Sequence, residues 1–331
     1  MHNDVDASMH APVISTGQLP DPEVVRTILD EAWLLYRSVD RGDVADFIPA
    51  LATAPRHDFG LALVGVDGAV YTAGDAQVEF SMQSVSKPFV FALVCDAIGY
   101  GQMRARVGVN STGLPFNSVM AIELNDERTM NPMVNAGAIA TTSLVPGGSL
   151  EERWAFVLDG LSRFAGRQLA IDSQVYESEA ASNQRNQGIA RLLESYGRIY
   201  CDPLEATDVY TRQCSVNVTV ADLAVMGATL ADGGVNPVTG ERVVSAETCK
   251  RVLAVLATAG LYERTGEWLY EIGLPGKSGV SGGIVTIAPG KVGMASYSPP
   301  LDRAGNSVRG QLAAKFLSEL LGLNLFASAP A

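Results

Sequence analysis

The 331 residues are 47% apolar and 18% charged, with 33 glycines and 16 prolines, a globular balance that excludes collagen, coiled coil and wholesale disorder. At ~150 residues per domain, one large domain or two lobes around a sizeable core are expected. Against 24 Lys and Arg stand 36 Asp and Glu, a net charge of −12; such a surface repels phosphate backbones and argues against nucleic-acid partners.

The first 19 residues are polar and lack both a basic start and an apolar stretch, so they read as a mobile tail and not as a secretory signal. Asp21-Pro22-Glu23 then offers an N-cap, a first-turn proline and an acid at the positive end of a helix dipole. Val25, Ile28, Leu29, Ala32, Tyr36 and Val39 keep one apolar face as far as Gly42, which predicts a helix. Residues 60–66 and 69–72 flank Asp67-Gly68, a pair that tolerates the positive φ angles of a two-residue hairpin. Antiparallel strands follow, which counts against a parallel Rossmann arrangement.

From about 84 to 249 the pattern is helical. Ser149-Leu150-Glu151-Glu152 reads as a capping box, and Thr219 precedes the apolar run from Leu223 to Met226. Within this stretch the run from Phe89 to Cys95 falls short of the ~20 residues of a membrane span, so no membrane association is expected. After Gly273 the strand pattern returns, with residues 283–287 and 292–297 on either side of Ala288-Pro289-Gly290-Lys291. A last amphipathic helix carries Val308, Leu312, Phe316, Leu317 and Leu320 and meets Gly322. The expected fold is α/β of the α+β kind, an antiparallel sheet closed by the two termini and flanked by helices, with an inserted helical lobe.

Histidine is the most restrictive count: the three are His2, His10 and His57. An α/β-hydrolase triad needs a His after its nucleophile, papain-like chemistry a His base, and an HExxH zinc site two at helical spacing. His57 alone is placed to serve, and Ala54-Pro55-Arg56-His57-Asp58 reads as an exposed turn. Cys95, Cys201, Cys214 and Cys249 show no CxxC or paired spacing; they are expected to be reduced, as in a cytoplasm, and not to bind zinc.

Without histidine, a hydroxyl nucleophile needs a neutral lysine, a tyrosinate or a metal. Of the five lysines only Lys87 has Ser three positions earlier, in Ser84-Val85-Ser86-Lys87. At i and i+3 on a helix the two side chains share a face, and Pro88 is tolerated only in a first turn, so Ser84 belongs at a helix N-terminus. The plain alternative is an N-cap serine beside a solvated lysine. Phe80, Val85, Phe89, Val90 and Phe91 favour the chemical reading, because apolar surroundings strip a lysine of its proton.

Lys277-Ser278-Gly279 before a strand resembles the K-[ST]-G element of β-lactamases and penicillin-binding proteins, which would put the Val280 amide at an oxyanion. Gly276-Lys277-Ser278 is no phosphate loop, since Glu271 stands where that motif needs glycine. Residues 279–283 match G-x-S-x-G, yet no histidine follows them.

With their flanks, these elements resemble the glutaminase family. Gln83-Ser84-Val85-Ser86-Lys87-Pro88, Asn131-Pro132-Met133-Val134-Asn135-Ala136-Gly137-Ala138, Cys214-Ser215, residues 239–243, residues 273–283 and Ser298-Pro299-Pro300-Leu301-Asp302 with Gly305-Asn306-Ser307 carry the likeness, in order, from about 21 to 326. That family is serine-dependent, has a β-lactamase/transpeptidase-like fold and hydrolyses L-glutamine to L-glutamate and ammonia. The resemblance implies one catalytic domain at 21–326, built from an α/β lobe (about 21–83 and 250–326) and a helical lobe (about 84–249), with tails at 1–20 and 327–331. It implies Ser84 as nucleophile, Lys87 as its base, and the Ser84 and Val280 amides as the oxyanion site. Tyr262 matches the family tyrosine that shuttles a proton, Glu179 the ligand of the α-ammonium, and Asn135, Asn186 and Tyr210 the polar substrate contacts. The role of Lys277 stays open, with structural pairing in the cleft as the simpler reading. No metal or organic cofactor is expected, and the partners are L-glutamine and, in a homodimer or homotetramer, further copies of the chain.

One departure stands out. Where relatives commonly carry Tyr in Asp-Tyr-Ile-Pro, this chain has Asp46-Phe47-Ile48-Pro49 and lacks the hydroxyl. Two rivals follow: another amide hydrolase of the β-lactamase kind, or a catalytically silent glutamine-binding protein.

Overall fold

The computed structural model, which describes residues 18–128 and 130–328, contains the hairpin around Asp67-Gly68, but its loop is three residues, Val66 to Gly68, closed by Gly65 N donating to Ala69 O at 2.9 Å, and not the two-residue turn expected. Strands β1 (Gly60–Gly65) and β2 (Val70–Gly74) pair antiparallel with Leu63 opposite Tyr71. Gly68 takes φ +83°, a region open to glycine at no steric cost. The chain next forms β3 (Phe80–Ser81), β4 (Ala170–Ile171), β5 (Val216–Val218), β6 (Gly276–Ser278), β7 (Gly283–Ala288) and β8 (Val292–Tyr297). Five strands make an antiparallel sheet in the order β2-β1-β8-β7-β6, so the strands nearest the two ends of the chain meet at its centre. The remaining three form a small sheet, β3-β5-β4. Strands of two or three residues are too short to show any periodicity, and the sequence reading of the helical stretch missed β4 and β5 for that reason.

Every residue of β1, β7 and β8 is buried, because both faces of the sheet are covered, whereas the edge strand β2 alternates exposed and buried. One face receives the helices Pro22–Tyr36, Thr265–Ile272 and Val308–Leu320, around a core that includes Leu29, Leu61, Leu63, Trp268, Met294 and Phe316. Against the other lies helix Val220–Ala231, whose Leu223 and Met226 join Ala62, Val64, Val285 and Ile287 in a second core that continues into the helices around Phe89, Ile139 and Phe164. The two layers touch at glycines: a Cβ on Gly293 would lie 2.1 Å from the Ala228 backbone nitrogen, far inside van der Waals contact.

Helix caps follow the sequence in part: Asp21 stands at the N-cap position of the first helix, but its side chain makes no capping hydrogen bond. Thr219 and Asp222 form a complete capping box. At Ser149 half of the box is rewired: its hydroxyl accepts from Glu152 N, while the Glu152 carboxylate accepts from Gly148 N at 2.6 Å. The first helix ends at Tyr36, short of Val39, and leads into a loop held by the buried Arg309, whose guanidinium donates to the carbonyls of Val39, Arg56, His57 and Asp58. Inside that loop Ala45, Ile48 and Leu51 pack on Val175 and Leu301, which brings Phe47 to the helical side of the molecule. Among the described residues no helix is long and apolar enough to cross a membrane, and the four cysteines are free. The expected N-terminal tail lies largely outside the described residues, as do His2, His10 and the last three residues.

Candidate active site

Ser84 lies in the 3₁₀ turn Gln83–Ser86, which runs directly into helix Lys87–Ile98 with Pro88 in its first turn. In a 3₁₀ turn residues three apart eclipse one another, so the S-x-x-K pair shares a side although the serine precedes the α-helix. Ser86 Oγ donates to Gln83 O at 2.7 Å and accepts from Gln213 Nε2 at 3.1 Å, fixing the turn from below. Gln83 itself has φ +50°, strain of roughly 1–3 kcal/mol for a residue with a Cβ.

Lys87 is buried and makes no ion pair among the described residues. Its Nζ donates to Asn135 Oδ1 at 2.8 Å and to Met133 O at 3.4 Å. Burial lowers its pKa to about 7, against a small opposing influence from Cys214. A neutral amine has two N–H groups and one lone pair; with two acceptors already supplied, the lone pair is free for a proton from elsewhere. Asn135 starts helix Asn135–Thr142 and is held at both ends of its amide: Oδ1 also accepts from Tyr210 Oη at 3.1 Å, and Nδ2 donates to Asn186 Oδ1 at 3.1 Å. That last bond leaves the Asn186 NH₂ free to donate.

Tyr262 occupies a 3₁₀ turn between two helices with φ +58°, the second strained residue of the site. Its buried hydroxyl interacts with Ser84, and burial raises its pKa. The ring is held by Phe116, with centroids 5.3 Å apart, and by two lysines, Lys277 Nζ at 4.0 Å and Lys87 Nζ at 5.4 Å from its centre. Lys277, fully buried on β6, donates to Ser278 O at 2.7 Å. Burial, and then the neighbouring Lys87, push its pKa well down.

β6 ends against the turn that carries Ser84. A Cβ on Gly279 would sit 2.8 Å from Met82 O and 3.0 Å from a Val85 methyl, so only glycine lets the strand approach and carry Val280 to the cavity. A cavity of about 360 Å³ is lined by Ser84, Asn135, Glu179, Asn186, Tyr210 and Val280, together with Phe47, Gln83, Arg185 and Cys214. Six of the eight residues singled out in the sequence therefore share one cavity; Lys87 and Tyr262 lie behind its wall, in contact with Asn135 and Ser84. Glu179, on helix Ser173–Ser182, is partly buried, and its buried Oε1 has no hydrogen-bond partner among the described residues. Burial raises its pKa to about 7, partly offset by a bond from Gln83.

Several participants were missed in the sequence. Gln83 looked like a flank of the S-x-x-K element, yet it strains the turn and touches Glu179. Cys214, read in the sequence as a reduced cysteine and as part of the Cys214-Ser215 motif, lines the cavity as a thiol whose pKa burial raises to about 12. Arg185 had a signal in its place beside Asn186, but nothing local said which way it faced.

The Glutaminase family profile matches residues 42–326. Glutaminase 2 of Yersinia pestis is 58% identical over 317 residues, covering 96% of this chain and 93% of its own. The glutaminase of Mycobacterium ulcerans is 52% identical over 285 residues, with 86% and 89% covered. The solved structure of a probable glutaminase, ybaS, superposes with a TM-score of 0.92 at 45% identity, over 93% of this chain and 100% of that one. A probable glutaminase of Bacillus subtilis reaches a TM-score of 0.85 at 31% identity, over 91% and 97%. The layered antiparallel sheet is thus the β-lactamase-like fold of these enzymes, and the chain belongs to the glutaminase family, amidohydrolases that convert glutamine to glutamate.

Proposed function

We propose that the conversion proceeds through an acyl-enzyme on Ser84. Ser84 Oγ attacks the side-chain carbonyl carbon while its proton passes to Lys87 Nζ. The tetrahedral oxyanion is held by the Ser84 and Val280 amides, an arrangement worth about 3–4 kcal/mol per donor in such sites. The C–N bond breaks as Tyr262 relays a proton to the departing ammonia, and water then enters, loses a proton to the same relay and releases glutamate.

The observation that supports this reading most is the buried, unpaired Lys87, with its two neutral-state hydrogens already matched by Met133 O and Asn135 Oδ1. Glu179, with an unpartnered oxygen in the same cavity, is the counter-charge for the α-ammonium; Asn186 and Tyr210 supply polar contacts to the rest of the head group. The same reading carries a homodimer or homotetramer working in the cytoplasm.

Ser84→Ala tests the mechanism. Ammonia release from L-glutamine is expected to fall by at least ~10³-fold with the thermal midpoint within a few degrees of wild type, and the mass of a covalent glutamyl adduct is expected in quenched wild type alone. Turnover retained in the alanine variant would remove the acyl-enzyme.

A further inference from the structure

We propose that a second cavity, enclosed by helices Lys87–Ile98, Tyr100–Arg106 and Ala246–Ala259, binds a small organic anion with an apolar body, in its simplest form an aliphatic carboxylate. This cavity shares no lining residue with the one at Ser84, so the inference stands apart from the mechanism proposed there.

The second cavity measures about 540 Å³, within the ~300–1,000 Å³ of small-molecule sites. Its floor is apolar. Phe91 and Cys95, one turn apart on their helix, lie there with Met103 and Val255, none of them more than 5% exposed. Such a floor left to water costs free energy that an apolar body recovers by covering it. The charged lining residues are Arg104 and Arg251, and no acid stands among them, although the whole chain carries 36 acids against 24 bases. The local balance is the reverse of the global one.

The two arginines differ in what is left to them. Arg251 pairs with Glu247 at 2.7 Å and lies over the Tyr100 ring, 4.8 Å from its centre, so its charge is matched. Arg104 makes neither an ion pair nor a side-chain hydrogen bond among the described residues. It follows Tyr100 by four positions on helix Tyr100–Arg106, which puts the two side chains on one face. Tyr100 lines the cavity yet is 53% exposed, an aromatic at the mouth that Arg251 holds in place. The geometry therefore sets one unmatched, planar cation at the rim of an apolar floor. A neutral ligand leaves that cation unmatched and a cationic one is repelled by it. A carboxylate with an apolar tail meets both surfaces, its head on the guanidinium and its tail on Phe91 and Met103.

Calorimetry with octanoate, and with 1-octanol as its uncharged counterpart, tests the site. A single octanoate per chain is expected, with a Kd between about 10 µM and 1 mM. 1-Octanol is expected to bind at least ~10-fold more weakly, the scale of one charge-assisted contact. Arg104→Met is expected to bring octanoate to the affinity of 1-octanol. Ala254→Trp, at an exposed position of the lining, is expected to block both ligands. Both variants are expected to hydrolyse L-glutamine within about twofold of wild type, and octanoate is expected not to compete with L-glutamine in the steady state. Octanoate binding that is absent, equalled by 1-octanol, competitive with L-glutamine or left intact by Ala254→Trp would overturn the proposal. Should the tryptophan variant not fold, Arg104→Met decides alone: an unchanged preference for the carboxylate removes the site.

Discussion

Asn135 Oδ1 lies 2.8 Å from Lys87 Nζ, a neutral acceptor where a carboxylate would be the stronger partner. The choice has a chemical consequence: a carboxamide fixes the amine without holding its proton. Burial brings Lys87 down to about 7 and Glu179 up to about 7. Below that pH the amine is charged and cannot act as a base, and the carboxyl is neutral and cannot hold an ammonium. Both losses act in the same direction, so log kcat/KM is expected to climb with a slope between about 1 and 2 below neutrality and to level off above it. Asn135→Asp places a carboxylate beside the amine and is expected to move the rising limb up by at least about one pH unit. A flat wild-type profile from acid to alkaline would contradict the assignment.

Glu179→Gln separates binding from stability. The uncharged side chain is expected to raise KM for L-glutamine at least ~10²-fold, the scale of removing one member of a buried charge pair, with a smaller effect on kcat. Because the folded-state pKa of Glu179 lies above its unfolded value, the folded form favours the proton, and that preference is lost as pH rises through about 7. The variant, neutral at all pH, is therefore expected to melt higher than wild type above pH 7, as calorimetry can read. A lower midpoint there would show that the ionised carboxylate is supported by groups beyond Gln83.

Phe47 lines the cavity mouth and is 58% exposed, so an added hydroxyl meets no buried obstacle. Phe47→Tyr is expected to raise kcat/KM for L-glutamine about 2- to 10-fold, the range for one neutral hydrogen bond. No gain in steady-state assays would show that this chain meets the head group without help from that position.

The sheet-to-helix contact is testable without any substrate. Gly293→Ala forces a Cβ against the Ala228 nitrogen, and backbone on both sides leaves nothing flexible to yield; about 1–3 kcal/mol or more is expected to be lost, several degrees of melting temperature. Gly188→Ala is the control: its Cβ meets open space on a helix, and stability is expected to rise by ~0.5–1 kcal/mol.

The legible parts of the molecule were those encoded over short stretches. Asp67-Gly68 announced its hairpin, and the S-x-x-K spacing the turn that sets Ser84 and Lys87 on one side. What stayed hidden depends on distant segments. The bond from Lys87 to Asn135 joins residues 48 positions apart; aligned motifs suggested both, but no local spacing states the contact. Arg185 stands beside Asn186 in the sequence, and its orientation toward Asn117, 68 positions away, is a product of packing. The five-strand order was similarly out of reach, since β1 and β8 meet only after the whole chain has folded.

Gln83 and Tyr262, held at φ +50° and +58°, have a bearing on attempts to harden this protein. Glycine at Gln83 would ease the backbone and cut nothing from the two hydrophobic cores, so a laboratory screen rewarding only survival of heating would be drawn there early, whereas at Tyr262 it would remove a buried ring from the larger core. Its winners would endure the oven and, under the mechanism proposed, make less ammonia, because the twist they shed belongs to the turn that carries Ser84.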